Sequence, residues 1–403
     1  MSAQRKRQGA PTKQWAPAVA NLKVAPQVPD PEEFIAMFGC APPLCKADAT
    51  VELRGVPTAV VNALRRVVLD EMSGVALQVA EEGFRSERTT ELFMLQQMVV
   101  PRIELLPLWQ AAAAAHVGEL RLELNVENAT AAPRVVYAGD LRVTAGALPA
   151  PIFNPTFEIA VLQPGKTLVI EDIGVGVGRG TAPFHVACRA AFRHLDLAQY
   201  SDAAMRLEGG DVSGAGGATG AATGAATGAA TGAATGAISV CDASGYVESC
   251  LVADPRAHEL RLTLPATTAA TAAADVRAVL AAAAADVRAR LRAVADAVAD
   301  AAAPAGGAAP DPGAILFRVA PGAGGRPEAA LVAPGETHTV GELLRRAVYD
   351  THPEVAFAAY SVSIHERRLT LTVRADDPAA VLAEAAAMAI ATFDEIHRAV
   401  LAL

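Results

Sequence analysis

TAVVNALRRVVLDEMSG runs from Thr58 to Gly74, and HTVGELLRRAVYDTHPEV runs from His338 to Val355. Each carries a Thr at its start, a Leu just before a double Arg, then a small hydrophobic run and an acidic residue. In the first, Val60, Val61, Leu64, Val67 and Val68 fall at i, i+1, i+4, i+7 and i+8, one apolar stripe of an α-helix. Asn62, Arg65 and Arg66 lie off the centre of that stripe. Thr58 is placed to cap the helix. In the second, Thr339 and Glu342 have the spacing of a capping box, and Val340, Leu343, Leu344, Ala347 and Val348 form the matching stripe. Ahead of the first helix, TVELRG alternates Val51 and Leu53 with Glu52 and Arg54, a half-buried strand. Each copy therefore reads as strand, turn, amphipathic helix. A wide apolar face needs a partner, and the other copy is the obvious one. The competing reading is that each helix covers only its own sheet.

Beyond the second helix, AAYSVSIHE and RRLTLTVRA alternate strictly. Val362 and Ile364, then Leu369, Leu371 and Val373, share faces, so the segment predicts a hairpin turning near Glu366 and Arg367. Pro378 opens a final helix with Val381, Ala385, Met388, Phe393, Ile396 and Val400 at helical spacing. The second unit is thus a sheet with helices on one face.

The remaining sequence sets limits. The chain has 403 residues and a net charge of −9, with aromatics at only 4%. Its core must be built from Val, Leu and Ile, and its acidity disfavours strong direct DNA binding. The apolar runs are polyalanine beside Arg and Asp, so no membrane span is expected. Five cysteines, Cys40, Cys45, Cys188, Cys241 and Cys250, are too few and too unevenly spaced for a disulfide scaffold, which fits an intracellular compartment. Only Cys40 and Cys45 are close in sequence, and no second pair at zinc-ribbon spacing follows. No metal site is expected.

The second segment resembles the small alpha-like subunit of cellular RNA polymerases, the archaeal L subunit or the eleventh subunit of polymerase II. That family begins this helix with His-Thr-hydrophobic-Gly-x-x-Leu-Arg and enters the next strand through Asn-Pro-x-Val-x-Phe-Ala-Gly-Tyr. Here stand His338, Thr339, Gly341, Leu344 and Arg345, then His352-Pro353, Val355, Phe357, Ala358 and Tyr360, with Ala359 in place of Gly. The first segment is similar to the larger alpha-like subunit, archaeal D or the third subunit of polymerase II, through Asn62-Ala63-Leu64-Arg65-Arg66. Arg102, Leu105, Pro107 and Leu108, then VVYAGDL and Gly178, Gly180 and His185 continue that likeness.

The resemblance implies a mixed α/β fold of the α+β kind. Two alpha-like dimerisation domains pack as an intramolecular pseudo-dimer, with a mostly β insertion domain in the first. The expected divisions are a disordered tail over 1–44, and a larger dimerisation domain from 45–79 and 238–300. An insertion domain covers 80–205, a flexible Gly-Ala-Ala-Thr repeat 206–237, a linker 301–313 and a smaller dimerisation domain 314–403. The residues expected to serve dimerisation and assembly are Asn62, Leu64, Arg65, Arg66, Val68, His338, Thr339, Gly341, Leu344, Arg345, Val348 and Tyr360.

By the same resemblance the chain is a non-catalytic assembly platform. It docks the second-largest and largest polymerase subunits, with small zinc-binding subunits as neighbours. It carries no cofactor itself, and magnesium belongs to the largest subunit. Such fusions resemble those of large DNA viruses of eukaryotes, which implies an intracellular site: the virion, the host nucleus or the cytoplasm. Two other readings compete. EDIGVGVGRGTAPF, with Gly174, Gly176, Gly178 and Gly180, imitates a dinucleotide loop, although it misses the G-x-G-x-x-G spacing; it would make the chain a nucleotide-binding enzyme. A homodimeric structural protein is the other. His185, Cys188 and His194 are also spaced to share a helical face, but no further ligand completes a metal set.

Overall fold

The computed structural model describes residues 13–27, 46–80, 83, 89, 98–148, 152–195, 256–265, 269–302, 313–322, 326–355, 357–363, 365–366 and 368–403. The chain opens with β1 (Ala18–Gln27), β2 (Lys46–Arg54) and α1 (Thr58–Arg66), and α1 ends in a wide π-helical turn, Val67–Glu71. Next come β3 (Gly74–Val79), α2 (Val100–Glu104), α3 (Gln110–Ala114), β4 (Arg121–Glu127), β5 (Arg134–Tyr137), β6 (Leu141–Ala145), β7 (Glu158–Leu162) and β8 (Thr167–Gly178). Then follow β9 (Arg189–His194), β10 (Ala257–Leu264) and α4 (Ala269–Ala302). The last unit is β11 (Leu316–Pro321), β12 (Pro327–Pro334), α5 (His338–Thr351), β13 (Phe357–Ser363), β14 (Arg368–Arg374) and α6 (Pro378–Ala402).

Two antiparallel sheets carry the same plan. Their strand orders are β1-β2-β10-β9 and β11-β12-β14-β13. Each order is outer strand, strand before the helix, strand before the long helix, outer strand. The repeat first seen in two helices is a repeat of the whole unit. Even the turns agree: Gly55 and Gly335, each between a strand and its helix, have φ of +76° and +74°, a region that L side chains rarely occupy. A Cβ on Gly55 would also fall 1.9 Å from the Ala16 carbonyl oxygen.

Period-2 alternation puts Val51 and Leu53 of β2, Leu331 and Ala333 of β12, and Leu369, Leu371 and Val373 of β14 on inward faces. They join Leu64 and Val68 of α1 and Leu344 and Val348 of α5 in one continuous core shared by both halves. The two sheets lie outside and the helices between them. The most extensive helix contact is not α1 on α5 but α4 on α6. Val287, Leu291, Val294 and Val298 on α4 repeat the spacing of Ala389, Phe393, Ile396 and Val400 on α6, and all are buried. Arg288 and Arg292 of α4 pair with Asp394 of α6 at 2.5 and 3.3 Å.

The second β unit, between α1 and β9, has its own core. A four-stranded sheet ordered β3-β8-β4-β6 and a β5-β7 ribbon close around Leu77, Ile103, Leu122, Leu124, Ile159 and Ile170. In the C-terminal half the same connection, from α5 to β13, takes only residues 352–356.

Several expectations need correction. The 1–44 segment is not wholly a tail. Trp15 is buried, and β1 pairs with β2 from Ala18↔Arg54 to Gln27↔Lys46; apolar Val19, Leu22 and Val24 give this strand enough surface to pack on the core. The insertion begins at β3, inside the expected 45–79 range, because β3 pairs with β8. It ends before β9, inside the expected 80–205 range, because β9 pairs with β10. Pro57, not Thr58, sits at the N-cap of α1, with no side-chain cap. At α5 the cap is Thr337, whose hydroxyl accepts from the Thr339 N–H, and Glu342 instead receives Arg345. His194 lies on a strand, so no helical face holds His185, Cys188 and His194. It meets buried His258 instead, Nδ1 to Nδ1 at 3.0 Å, and His258 Nε2 lies 3.0 Å from the Val56 carbonyl. The Gly-Ala-Ala-Thr repeat, residues 303–312 of the linker, and Cys40, Cys45, Cys241 and Cys250 lie outside the described residues.

Candidate functional site

The site is the junction where the end of one half's helix meets the start of the other's. The wide turn after α1 brings Glu71 to this point, 8% exposed. Glu71 accepts from Thr339 Oγ1 at 2.6 Å and Thr337 Oγ1 at 3.0 Å, both at the start of α5. Arg66 donates to it from its own helix, 2.9 Å from Nη2, and also donates from Nε to Thr339 Oγ1 at 2.9 Å. Arg290 of α4 donates from Nη1 to Glu71 at 2.7 Å and from Nη2 to Glu336 at 2.6 Å. A guanidinium from the N-terminal half thus holds one carboxylate from each half.

Burial alone pushes the Glu71 carboxyl up. The Thr339 hydroxyl, Arg290 and Arg66 pull harder, and the net result lies below the ordinary value. For Asp286, one turn before Arg290, burial wins over Arg290 and Arg179, and its carboxyl is raised. Because Glu71 has a lower pKa folded than unfolded, its contribution is fully present above about pH 4.5, the ordinary glutamate value, and is lost as pH falls through the folded value. Melting temperature should therefore drop below pH 4.5, and Glu71→Gln should flatten that drop. An equally steep acid limb in Glu71→Gln would remove Glu71 from its cause. Glu52, Glu259 and Asp394 shift the same way, but they face water and their effect is screened.

The pseudo-equivalent junction is chemically different. Asp350, near the end of α5 and 5% exposed, accepts from Trp15 Nε1 at 2.8 Å, Arg346 Nε at 3.0 Å and Arg256 Nη2 at 3.2 Å. Trp15 and Arg256 flank Gly55, since Ala16 N–H donates to the Gly55 carbonyl and Gly55 N–H to the Arg256 carbonyl. At both junctions a helix-end carboxylate is read by the other half's helix entry.

The sequence-derived residues divide among three places. Leu64, Val68, Leu344 and Val348 meet in the shared core, and Arg66 meets Thr339 at the junction. On the outer helix faces, Asn62 accepts from Arg65 at 2.9 Å, as Glu342 does from Arg345 at 2.6 Å, pseudo-equivalent i, i+3 pairs. His338, Gly341 and Tyr360 form a separate packing site, with His338 edge-on to Tyr360 at 5.7 Å. A Cβ on Gly341 would fall 2.5 Å from the Tyr360 ring and 2.8 Å from Leu369 Cδ1. Gly341→Ala gains about 1 kcal/mol of helix propensity and meets an overpacking cost of about 1–3 kcal/mol. The expected result is a lower urea midpoint; a higher one would show that Tyr360 does not press on Gly341.

Sequence reading missed Glu71, Arg290, Glu336 and Thr337, and with them Trp15, Arg256, Arg346 and Asp350. Glu71, Arg346 and Asp350, inside the repeated pattern, carried a signal; the others did not. The glycine run is no phosphate cradle: Gly174, Gly176 and Gly178 lie inside β8, paired with β3. The spaces beside them are taken by Arg121, Gln78 and Phe184 side chains.

Comparison with known proteins agrees with this geometry. Residues 328–399 match the RNA polymerase Rpb3/Rpb11 dimerisation domain. Over 334 residues, 82% of this chain and 80% of the relative, the chain is 30% identical to the DNA-directed RNA polymerase RPB3-11 homolog of a Kenyan pig isolate of African swine fever virus. The homolog of a Malawian tick isolate matches at the same identity and coverage, and that of the Badajoz strain is 29% identical. With two alpha-like units in one chain and a likeness that spans both, the protein belongs to the family of RPB3-11 homologs of DNA-directed RNA polymerase.

Proposed function

We propose that this chain is the non-catalytic platform of a multi-subunit DNA-directed RNA polymerase, with its two halves doing the work of two separate alpha-like subunits. The observation that carries this reading is the single core built from both halves, Leu64 and Val68 on one side and Leu344 and Val348 on the other. A surface formed only when two units pair can recruit a third component only after pairing, which gives assembly an order. The components recruited are the second-largest subunit and then the largest, with small zinc-binding subunits beside them. Nucleotidyl transfer and its magnesium belong to the largest subunit, and this chain brings no cofactor of its own.

Among the described residues, no group of three or more His, Cys, Asp or Glu side chains is arranged to hold a metal, and no helix is long and apolar enough to cross a membrane. The platform acts where transcription takes place, inside the virion or the infected cell. Nothing observed favours the nucleotide-binding alternative.

The test is affinity purification of the tagged chain from cells that make the whole polymerase, followed by identification of what comes with it. Two polypeptides carrying the polymerase catalytic core should co-purify in equal amounts, and the chain alone should make no RNA on a primed template. Recovery without them, or template-directed synthesis by the chain alone, would overturn the proposal.

A further inference from the structure

We infer that the Arg290–Glu336 pair is a recognition lock, by which each half accepts the other and the C-terminal half rejects a second copy of itself. The inference rests on the pairing seen in the fold, not on the polymerase assignment. Arg290 is held on three sides: Glu336 takes Nε and Nη2, Glu71 takes Nη1, and Asp286 lies 3.6 Å away on the same helix. It is 10% exposed and Glu336 14%, so little water is available to replace either partner.

The internal symmetry shows what a wrong pairing would offer. Matching α4 and α6 outward from the equivalent strands β10 and β14 sets the buried Val276 against Ala385, Leu280 against Ala389, Val287 against Ile396 and Leu291 against Val400, and puts Ala399 where Arg290 stands. The Ala399 side chain carries no charge and no donor. Matching the two helix entries through Gly55 and Gly335 puts Val56, fully buried, where Glu336 stands. One junction therefore has an arginine and a glutamate where the other has an alanine and a valine.

If two C-terminal halves met through this face, Glu336 of each would lie near Asp350 of the other. Ala399 would stand in the place of the missing arginine. Two carboxylates would then be desolvated at each junction with Arg346, already bound to Asp350, in place of the two arginines that serve Glu71 and Glu336, which disfavours the contact. If two N-terminal halves met, Arg290 would keep Glu71 but face Val56 instead of Glu336. It would lose the partner of two of its N–H groups. Only the mixed pairing sets Arg290 against Glu336. A fused chain needs this discrimination, because each molecule carries both faces and every collision between molecules offers wrong pairings as well as right ones.

The test makes the two junctions alike in the full chain. Arg290→Ala combined with Glu336→Val copies the Ala399 and Val56 pair, and leaves Glu71 with Arg66, Thr337 and Thr339. Both proteins are unfolded in urea and refolded at the same concentration, and their species are separated by size-exclusion chromatography with light scattering. The expected result is a folded double variant whose dimer and higher-oligomer fraction is about tenfold above that of the wild type. A double variant that refolds to the same monomer fraction as the wild type overturns the lock. If the double variant does not refold, Glu336→Gln is read in the same way. It keeps the shape and removes the charge that bars self-pairing, so it too must raise the oligomer fraction, and an unchanged fraction again overturns the inference.

Discussion

Leu64→Asp and Leu344→Asp are each expected to open the paired halves and stop polymerase assembly. Leu64 is 1% exposed and Leu344 0%, on helices α1 and α5 that touch each other within one core. Cutting either leucine back to alanine should cost about 2–5 kcal/mol. Aspartate adds the cost of a carboxylate in a place with no partner, which exceeds that of an unbonded polar group. The total is a large share of the stability of an ordinary domain, about 5–15 kcal/mol. Each variant should bind a hydrophobic dye, and neither should recover large polymerase subunits on purification. Normal melting and normal recovery in both would show that the helices do not carry the pairing.

Arg290→Met should be nearly as damaging, through charge and not volume. The flexible Met side chain covers part of the apolar stem but leaves Glu336 and Glu71 without their shared cation. Breaking a buried ion pair on one side costs about 3–5 kcal/mol, because the remaining charges stay desolvated. The sign should depend on acidity. Protonating the abandoned carboxylates relieves the penalty, so the difference from wild type should be largest near pH 7 and shrink toward pH 4. Measuring both melting temperatures across that range checks it; a constant difference would mean that Arg290 acts by packing alone.

Much of this was legible because repeated patterns are robust. The stripe through Leu64 and the stripe through Leu344 each have helical period, and the strands around Val51 and Leu371 alternate cleanly. These signals depend only on which face is buried. The motif residues Thr339 and Gly341 also fell where they matter, although for reasons the pattern did not contain. Thr339 serves the junction through its hydroxyl instead of capping α5, and Gly341 makes room for Tyr360.

The rest could not be read from local pattern. Whether β3 or β9 belongs to the insertion is decided by which strand each pairs with, and both are short apolar segments. Trp15 is buried because Asp350, far away in sequence, accepts its N–H. Arg290 lies in an Ala-rich helix among other arginines, Arg288 and Arg292, that face outward to Asp394. Nothing in DVRARLRAV separates the buried arginine from its exposed neighbours except its place beside the Leu291 stripe. The π-helical turn that selects Glu71 over Asp70 is a one-residue change in backbone winding, below what periodicity resolves.

A double-mutant cycle between Glu71 and Thr339 in the intact chain tests the pairing of the halves most directly. These residues lie 268 positions apart in sequence and 2.6 Å apart in space. Glu71→Gln, Thr339→Val and the double variant are unfolded in urea at several protein concentrations. Pairing within one molecule predicts a coupling of about 0.5–3 kcal/mol and midpoints that do not move with concentration. Zero coupling would mean that the two halves do not meet at this junction, and midpoints that rise with concentration would mean that they meet only between molecules.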